Sequence, residues 1–393
     1  MKKTMIGMVL LLLATFSPVL AFPAGAMVEE GIFDQVSGRV TVQRVDGGLM
    51  PAKMGDLIEG GEIVETGARS SARILLPDES VLELKENTRI EVNDSRENAR
   101  GVPSVLLYLG RLWGDIAKSE DGDTSFEVVS SSAVAGVRGT VFSAGVGIDG
   151  QTRVGVEQGE VEVQGEAGSQ VLVKADQETS VDLGAKPKEP SPYQKSEDQW
   201  RQWLNSRQPA LMARADALPA QIMKNVEGPR QRFEAQAAEM KRLQQSWQAY
   251  ARSQEKPGRP LQARLAVKRE VIRQMRAMFI VAKQLQRADN RMVASYFLVQ
   301  RLNQDMQAHP DQYSPEFRVK IQETAKKLEA MGLGKIHRQN LYLLDKYSEG
   351  LEQAVTKWNL NPELKRRIET ARRAGKLREL QRARMQKQLK QSP

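Results

Sequence analysis

The chain of 393 residues contains no cysteine and only two histidines. The absence of cysteine excludes disulfide bonds, thiol nucleophiles, cysteine-ligated metals and a lipid anchor on cysteine. His309 and His337 have no second histidine at the spacing of a metal site, so both are predicted to lie at the surface. No metal or cofactor is therefore expected, and packing alone must stabilise the fold.

Sequence motifs of catalysis are lacking as well. The chain has neither a G-x-S-x-G nucleophile elbow nor a G-x-x-x-x-G-K-[ST] phosphate-binding loop. The acidic run Glu120-Asp121-Gly122-Asp123 lacks the alternating ligands and the closing glutamate of a calcium loop, and is predicted to be a turn. We predict a protein that is not an enzyme. An enzyme acting on envelope glycans stays an alternative, because catalytic carboxylate pairs meet in space rather than in sequence.

Long hydrophobic runs are absent apart from the one between Met5 and Leu20. Two lysines precede this run and small residues follow it, so residues 1–26 are predicted to be a secretory signal peptide, cleaved near Ala21 or Ala26. A transmembrane anchor is the alternative, but Pro18 interrupts a run that is already short for a span. The mature chain is therefore expected in the periplasm or outside the cell, without a membrane-spanning segment.

Aromatic residues make up only 5% of the chain, so few side chains could stack on nucleic-acid bases. The net charge of +9 is divided unevenly, with 16 basic and 29 acidic residues in 27–190 against 40 basic and 20 acidic residues in 191–393. Since the chain is also predicted to be exported, no nucleic-acid partner is expected. The basic half is interpreted either as a solvated surface or as a surface for anionic lipid, anionic cell-wall polymer or the acidic half of this chain.

Residues 27–184 are predicted to form an all-β domain. Short apolar stretches alternate with polar residues and are separated by glycine, aspartate and proline. This spacing fits a β-sandwich, a roll or a short β-solenoid, and periodicity does not choose among the three. The strands predicted in the second part of the domain are Val105–Leu109, Arg111–Ile116, Thr152–Val156, Val161–Val163, Val171–Val173 and Ser180–Leu183.

The remaining chain is predicted to be helical, since it is rich in Ala, Gln, Arg, Lys, Leu and Met. Breaks are expected at Pro209, at Gly228-Pro229 and at His309-Pro310, and a helix start is expected at Ser314-Pro315-Glu316. The predicted parts are a proline- and lysine-rich linker over 185–195, extended helices over 196–260, a helical bundle core over 261–360 and a basic C-terminal helix over 361–393.

The segment from Phe126 to Phe142 has little side-chain volume. It contains the serine run 130–132 and several alanines and glycines, so backbone segments must approach one another closely. Arg138 is a lone charge in this setting. We expect its guanidinium to pair with backbone carbonyls or with a carboxylate such as Asp115 or Glu157; binding of an anionic ligand is the alternative.

An ordered set of short motifs runs through the β half, over about residues 31–183. Its residues are Gly55, Asp56, Thr66, Gly67, Asp78, Ser80, Gly136, Val137, Arg138, Gly139, Thr140 and Phe142. As a set, they resemble the periplasmic domain of the iron-dicitrate regulator family, the FecR proteins. The resemblance implies an all-β domain in which these residues are structural.

The chain departs from that family in three places. Glu79 stands where the family usually has the glycine of a D-G-S turn, so this turn is expected to be of a type without positive φ. Ser131-Ser132 stands where the family often has threonine-proline. Only Lys2-Lys3 precedes the first apolar run, whereas the best-known members carry a cytoplasmic segment that controls a sigma factor, so no anti-sigma segment is expected here.

Together these features predict a secreted, non-catalytic protein that binds another protein in the cell envelope as a sensory or scaffold module. The main alternative is an envelope-anchoring module whose basic helices bind anionic cell-wall polymer or lipid. Oligomerisation and docking of the acidic half on the basic half are left open.

Overall fold

The computed structural model describes residues 29–44, 47–93, 104–118, 126–165, 168–253 and 261–333, and separate residues between 335 and 350. The predicted signal peptide, the C-terminal helix, His337 and the acidic run at 120–123 lie outside the described residues. A β part is followed by a helical part, as expected.

The strands are β1 Glu29–Ser37, β2 Val40–Gln43, β3 Leu49–Pro51, β4 Leu57–Glu59, β5 Ile63–Thr66, β6 Ser71–Leu75, β7 Val81–Leu84, β8 Arg89–Asn93, β9 Ser104–Asp115, β10 Phe126–Val129, β11 Val134–Val137, β12 Val141–Val146, β13 Thr152–Gln158, β14 Glu160–Gln164, β15 Gln170–Lys174, β16 Gln177–Val181 and β17 Ser191–Pro192.

These strands form two layers, which we call sheet A and sheet B. Neighbouring strands of sheet A follow the order β4-β1-β6-β7-β9-β12-β13-β16-β17. Neighbouring strands of sheet B follow the order β3-β2-β5-β8-β9-β10-β11-β14-β15. Apolar side chains of both layers, such as Ile74 and Leu82 of sheet A and Val64 and Ile90 of sheet B, share one core. Of the three predicted architectures, the sandwich describes this arrangement.

Strand β9 belongs to both sheets because it bends at Gly110. The half before Gly110 pairs with β8 and β10 in sheet B, and the half after it pairs with β7 and β12 in sheet A. Gly110 has a φ of 89°, and a Cβ at this position would lie 2.5 Å from the Cα atom of Thr88. Only glycine fits there. The two strands predicted on either side of this glycine are therefore one bent strand.

The turn between β6 and β7 differs from the expectation. Glu79 adopts a φ of 69°, so the predicted turn without positive φ is wrong. The backbone N–H of Ser80 donates to Asp78 Oδ1 at 3.1 Å, and the strand ladder fixes Leu75 opposite Val81. The pairing of β6 with β7 thus imposes on a glutamate the left-handed conformation that glycine adopts more easily.

The predicted linker over 185–195 is held against sheet A. Its Lys188 donates a backbone hydrogen bond to Ser180 O at 3.0 Å and accepts one from Thr179 Oγ1 at 2.6 Å. Ser191 and Pro192 form β17, which pairs with β16. A proline-rich composition predicts an extended backbone correctly, but an extended backbone can also add to the edge of a sheet.

The described helices continue through two of the prolines at which breaks were predicted. Pro209 lies within α1 and Pro229 within α2, so both predicted breaks are wrong, whereas α3 ends before His309-Pro310 as predicted. Apolar residues on both sides of each interior proline are buried, and their packing outweighs a local cost of about 3 kcal/mol. The helices are α1 Glu197–Ala213, α2 Leu218–Ser253, α3 Leu261–Ala308 and α4 Pro315–Ala330.

Helix α2 was expected to be a long polar helix that either pairs with another element or stands in solvent, and it packs along α3. Its residues Ile222, Val226, Phe233, Ala237 and Met240 are buried in one core with residues of α3 and α4. Their spacing of three, four and seven residues forms one stripe, and the bundle core therefore begins near residue 218 rather than 261. Helix α4 starts at the predicted position, where the Ser314 side chain caps the N-terminus. No described helix has the length and apolar character needed to span a bilayer.

Candidate functional site at the junction of the two parts

The motif residues near the start of the β part hold tight turns. Gly55 has a φ of 87°, and its N–H donates to Phe33 O at 2.8 Å. Asp56 Oδ2 accepts a hydrogen bond from the backbone of Lys53 at 2.9 Å. Both contacts shape the chain between β3 and β4.

Thr66 and Gly67 join β5 to its neighbours. The Thr66 hydroxyl donates to Lys85 O at 2.6 Å and accepts from the Thr88 N–H at 2.9 Å. Gly67 donates its N–H to Arg39 O at 2.9 Å. These buried contacts tie together three separate strands, which is a structural role.

Two further motif turns meet at the end of β9. The Ser80 hydroxyl accepts from the Ala117 N–H at 2.9 Å, and Thr140 O accepts from the Ile116 N–H at 3.1 Å. The Thr140 hydroxyl also donates to Glu160 O at 3.0 Å. The family-like turns before β7 and β12 thus hold the backbone that follows β9.

Arg138 lies at the surface, although we expected a packed setting. Its side chain is exposed, and within the described residues it makes no ion pair with Asp115 or Glu157. In the same motif, Val137 and Phe142 are fully buried, unlike Arg138, and Gly139 has a φ of 56°. The packed setting expected for Arg138 is therefore wrong, and the described residues show no pairing with Asp115 or Glu157; the partially buried Gly136 lies in β11, the strand before it.

The helical part is attached to the other end of the sandwich through a region that we call the junction. We define it by Tyr108, Arg111, Asp149 and Arg153 of the β part, the loop 130–132, and Trp200, Arg214, Asn225 and Phe297 of the helices. Strands β9, β12 and β13 are buried on both faces here, whereas β2, β5, β6 and β7 alternate between more and less buried residues. The helices cover the outer faces of the sheets at this end.

An aromatic and arginine cluster attaches α1 to the outer face of sheet A. Trp200 is 1% exposed, and the guanidinium carbon of Arg153 lies 4.3 Å from the centre of its ring. Arg111 lies over the same ring at 5.3 Å and pairs with Glu197. Burial raises and Arg111 lowers the pKa of the Glu197 carboxyl, and the net effect is a lowered pKa. Gly155 leaves room for Tyr193, because a Cβ there would lie 2.1 Å from the tyrosine ring.

A fully buried carboxylate, Asp149, lies in the turn between β12 and β13. Arg214 Nη2 donates to its Oδ2 at 2.7 Å, and the Arg207 guanidinium lies 3.7 Å from the same oxygen. Gln151 accepts hydrogen bonds from Arg207 at 2.6 Å and from Trp203 Nε1 at 3.1 Å. Arg207 of α1 and Arg214, the residue after α1, thus compensate the charge of Asp149 in the β part, as the opposite charges of the two halves allow.

The serine run forms a buried polar network with the helices. The Asn225 side chain of α2 donates to Ser131 O at 2.9 Å and to the Ser295 hydroxyl of α3 at 2.8 Å. The hydroxyls of Ser130 and Ser132 lie 2.7 and 2.6 Å from Thr152 Oγ1. Small side chains were correctly interpreted as a sign of close approach, but the approaching elements include two helices as well as other strands.

An apolar contact connects sheet B with α3. Leu106, Tyr108 and Val129 pack against Val293 and Ala294. The Tyr108 ring lies 4.2 Å from the ring of Phe297, centre to centre. The Tyr108 hydroxyl donates to Glu91 Oε2 at 2.5 Å. Burial, followed by the charge of Glu91, raises the pKa of Tyr108 well above its usual value near 10.

Sequence reasoning missed most junction residues. One signal was present, because Val105 to Leu109 is continuously apolar, a pattern typical of strands covered on both faces. For Asp149, Asn225 and Trp200 the sequence carries no such signal, since their partners lie tens of residues away along the chain. None of the junction residues is among the twelve motif residues given above, although the serine run 130–132 lies in the segment from Phe126 to Phe142 that the sequence singled out.

Outside the junction, we consider a groove and possible metal sites among the described residues. An open groove of about 620 Å³ lies between α3 and α4, and side-chain amides dominate its lining, with Glu329 as the one carboxylate. Among the described residues no group of three or more His, Cys, Asp or Glu side chains is placed to hold a metal ion. The paired carboxylates that the enzyme alternative requires are not found in this groove.

Three solved structures resemble parts of the chain. Two crystal structures of a candidate anti-sigma factor from Parabacteroides distasonis share 18% sequence identity with it, at TM-scores of 0.29 and 0.30. They match 33% and 36% of this chain, which spans 59% and 64% of their length. A cell surface anchoring domain matches 16% of this chain and 84% of its own length, at 31% identity and a TM-score of 0.16. TM-scores this low carry no argument about function, and no curated protein matches significantly.

The family comparison is more specific. The model of the FecR protein family matches residues 62–162. This range contains the turn at 78–80, the pair Thr66-Gly67 and the whole segment from Phe126 to Phe142, and it confirms the resemblance deduced from those motifs. FecR proteins are regulatory proteins of the cell envelope rather than enzymes. The chain therefore contains a FecR domain, matched over residues 62–162.

Proposed function

We propose that the protein is a non-catalytic interaction module of the bacterial cell envelope, exported to the periplasm or beyond, that binds a protein partner as a sensor or scaffold. The observation that carries this proposal is the junction. Buried charges, hydrogen bonds and aromatic contacts join the FecR domain to the helices, so a partner bound to either part is held in a fixed orientation to the other. A flexible linker would not supply that property.

The end of the sandwich away from the junction, which includes strands β2 to β7 and which we call the far end, supports the same proposal. Leu49, the first residue of the edge strand β3, is 75% exposed, and Met54, three residues after this strand, is 74% exposed. Large apolar side chains exposed on an edge strand and in the segment after it are candidates for a protein interaction surface. The described helices cover the junction end, whereas Leu49 and Met54 at the far end are exposed.

In vivo photo-crosslinking of the full-length chain tests this proposal. A photoreactive amino acid at Leu49 or Met54 is expected to give an adduct with one and the same envelope protein. The same amino acid at the exposed Lys174 of sheet B serves as the control and is expected to give none. Absence of adducts at Leu49 and Met54, or identical adducts at all three positions, would contradict the proposal.

Localisation is tested separately. Residues 1–26 are expected to be removed, and the shortened chain is expected in the periplasmic fraction or in the medium. A chain of full length that stays in the cytoplasmic fraction would exclude an envelope function.

A further inference from the structure

Helix α3 presents a second surface, independent of the FecR domain, on its outward face between residues 269 and 287. The residues exposed there recur every three to four positions, which places them on one stripe of the helix. The opposite side of the same segment is buried in the bundle through Val271, Met275, Met278 and Leu285. We call the exposed stripe the α3 face; it consists of Arg269, Ile272, Arg273, Arg276, Ile280, Gln284 and Arg287.

The α3 face carries a strong excess of positive charge. Between residues 269 and 287 the sequence contains five basic residues and one acidic residue, Glu270. Glu270 is engaged by Arg273 through two contacts of 2.6 and 2.8 Å. Within the described residues, Arg269 and Arg276 make no ion pair. The exposed face of α2 also carries cations: Arg230 and Arg242 each pair with a glutamate of their own helix, and Arg232 and Lys241 make no ion pair within the described residues.

Two aliphatic side chains lie among these arginines. Ile272 is 38% exposed and Ile280 is 56% exposed. They are eight residues apart, or about 12 Å along the helix axis, with Arg276 between them. Both isoleucines lie on the same stripe as the arginines, so one surface with anionic and apolar layers would contact both kinds of side chain. A soluble polyanion would engage the arginines and leave the isoleucines in water.

We propose that the α3 face binds the surface of a membrane containing anionic phospholipids. The arginines contact lipid phosphates, and Ile272 and Ile280 enter the boundary between headgroups and acyl chains. The segment is about 27 Å long, so a helix lying parallel to the membrane brings Arg269 and Arg276 to the lipid together with both isoleucines. Such a contact places the FecR domain close to a membrane surface without a membrane-spanning helix.

Co-sedimentation of the full-length protein with vesicles tests this inference. The wild-type protein is expected to bind vesicles of 70% phosphatidylcholine and 30% phosphatidylglycerol, and not vesicles of phosphatidylcholine alone. R269Q/R276Q is expected to lower the affinity about 25-fold, since each arginine near an anionic surface contributes about fivefold. I272S/I280S is expected to lower it about tenfold.

Matched controls separate the α3 face from general effects of charge and apolarity. R232Q/K241Q removes two exposed cations of α2, and V319S removes an exposed aliphatic side chain of α4; both are expected to change the affinity less than twofold. All of the substituted side chains are exposed, so the variants are expected to keep the wild-type circular dichroism. Equal losses in the control variants would overturn the proposal. So would binding that is unchanged in I272S/I280S, or binding to soluble polyphosphate as tight as binding to the vesicles.

Discussion

The two ends of the β-sandwich bury their strands in different ways. At the far end, β5, β6 and β7 alternate between core-facing and partly exposed residues, which is the pattern of a sheet with one wet face. At the junction end, β9, β12 and β13 are buried on both faces. We infer from this difference that the helices of this chain cover one end of its FecR domain in the folded protein, and that the helices and the domain belong to the same folding unit.

The largest expected effect comes from Trp200, the most buried aromatic residue of α1. Trp200→Ala is expected to lower the free energy of unfolding by about 3–5 kcal/mol, because it removes a filled contact with Arg111 and Arg153. Urea denaturation followed by far-UV circular dichroism measures this change. Gln202→Ala, at an exposed position of the same helix, is the control and is expected to stay within about 0.5 kcal/mol. A loss below about 1 kcal/mol for Trp200→Ala would show that α1 is not packed on sheet A.

The next effect concerns the buried carboxylate of Asp149. Asp149→Asn is expected to cost about 1–3 kcal/mol, less than a completely buried ion pair, because water reaches the Arg214 side chain. Asp176→Asn is the matched control, since Asp176 is 77% exposed and pairs with Lys195 at 3.2 Å. It is expected to cost less than about 0.5 kcal/mol. Equal effects of the two substitutions in chemical denaturation would contradict the described junction.

The polar network predicts a smaller loss. Asn225→Ala removes two hydrogen bonds and leaves the Ser131 carbonyl without its donor, at an expected cost of about 1–2 kcal/mol. The exposed Asn205 of α1 supplies the control, and Asn205→Ala is expected to leave the unfolding midpoint unchanged. Should both variants unfold at the same urea concentration, the contact between α2 and the serine run would be refuted.

The contact of Tyr108 with α3 predicts a dependence on alkaline pH. The pKa of Tyr108 is raised in the folded state, so an unfolded chain ionises this phenol from about pH 10 upward while the folded chain does not. The associated stability is complete below pH 10 and is lost as the pH rises above it, by up to about 1.4 kcal/mol per pH unit. Tyr108→Phe is expected to reduce this alkaline loss, measured as the slope of unfolding free energy between pH 10 and 11. A slope that Tyr108→Phe leaves unchanged would contradict the burial of Tyr108.

The smallest effects lie in the family motif itself. Arg138→Ala is expected to change the free energy of unfolding by less than about 0.5 kcal/mol, because the side chain is exposed. Gly139→Ala, one residue further, is expected to cost about 1 kcal/mol, since φ is 56° and a Cβ would lie 3.1 Å from the Lys118 side chain. Thermal unfolding of the two variants compares them directly. A larger loss for Arg138→Ala than for Gly139→Ala would restore the buried role first expected for Arg138.

Local patterns predicted the elements of the far end well. The alternation in β6 and β7 and the capped start of α4 at Ser314 depend on neighbours in sequence, which the sequence displays. The wrong predictions depended on distant partners. Pro209 and Pro229 are tolerated within helices because buried residues on either side fix the helix, and Glu79 takes a positive φ because two strands impose it.

The junction could not be predicted for the same reason. Asp149 pairs with a residue 65 positions later, and the Asn225 side chain reaches a backbone carbonyl 94 positions earlier. Because the two halves carry opposite charges, docking of the acidic half on the basic half was one of several interpretations left open. Charge alone does not identify which residues are in contact. The family motifs pointed to the fold of the sandwich and not to the surface on which the helices lie.

The absence of cysteine from the chain allows the central claim to be tested with a single introduced thiol. In Ser131→Cys the thiol replaces a hydroxyl at the junction, and in Arg138→Cys it lies exposed in the same segment. The full-length Ser131→Cys variant is expected to react with a thiol reagent at least about 100-fold more slowly than Arg138→Cys, because reaction requires the helices to leave the sandwich. Reaction of the two variants at similar rates would contradict a FecR domain whose one end is covered by its own helices.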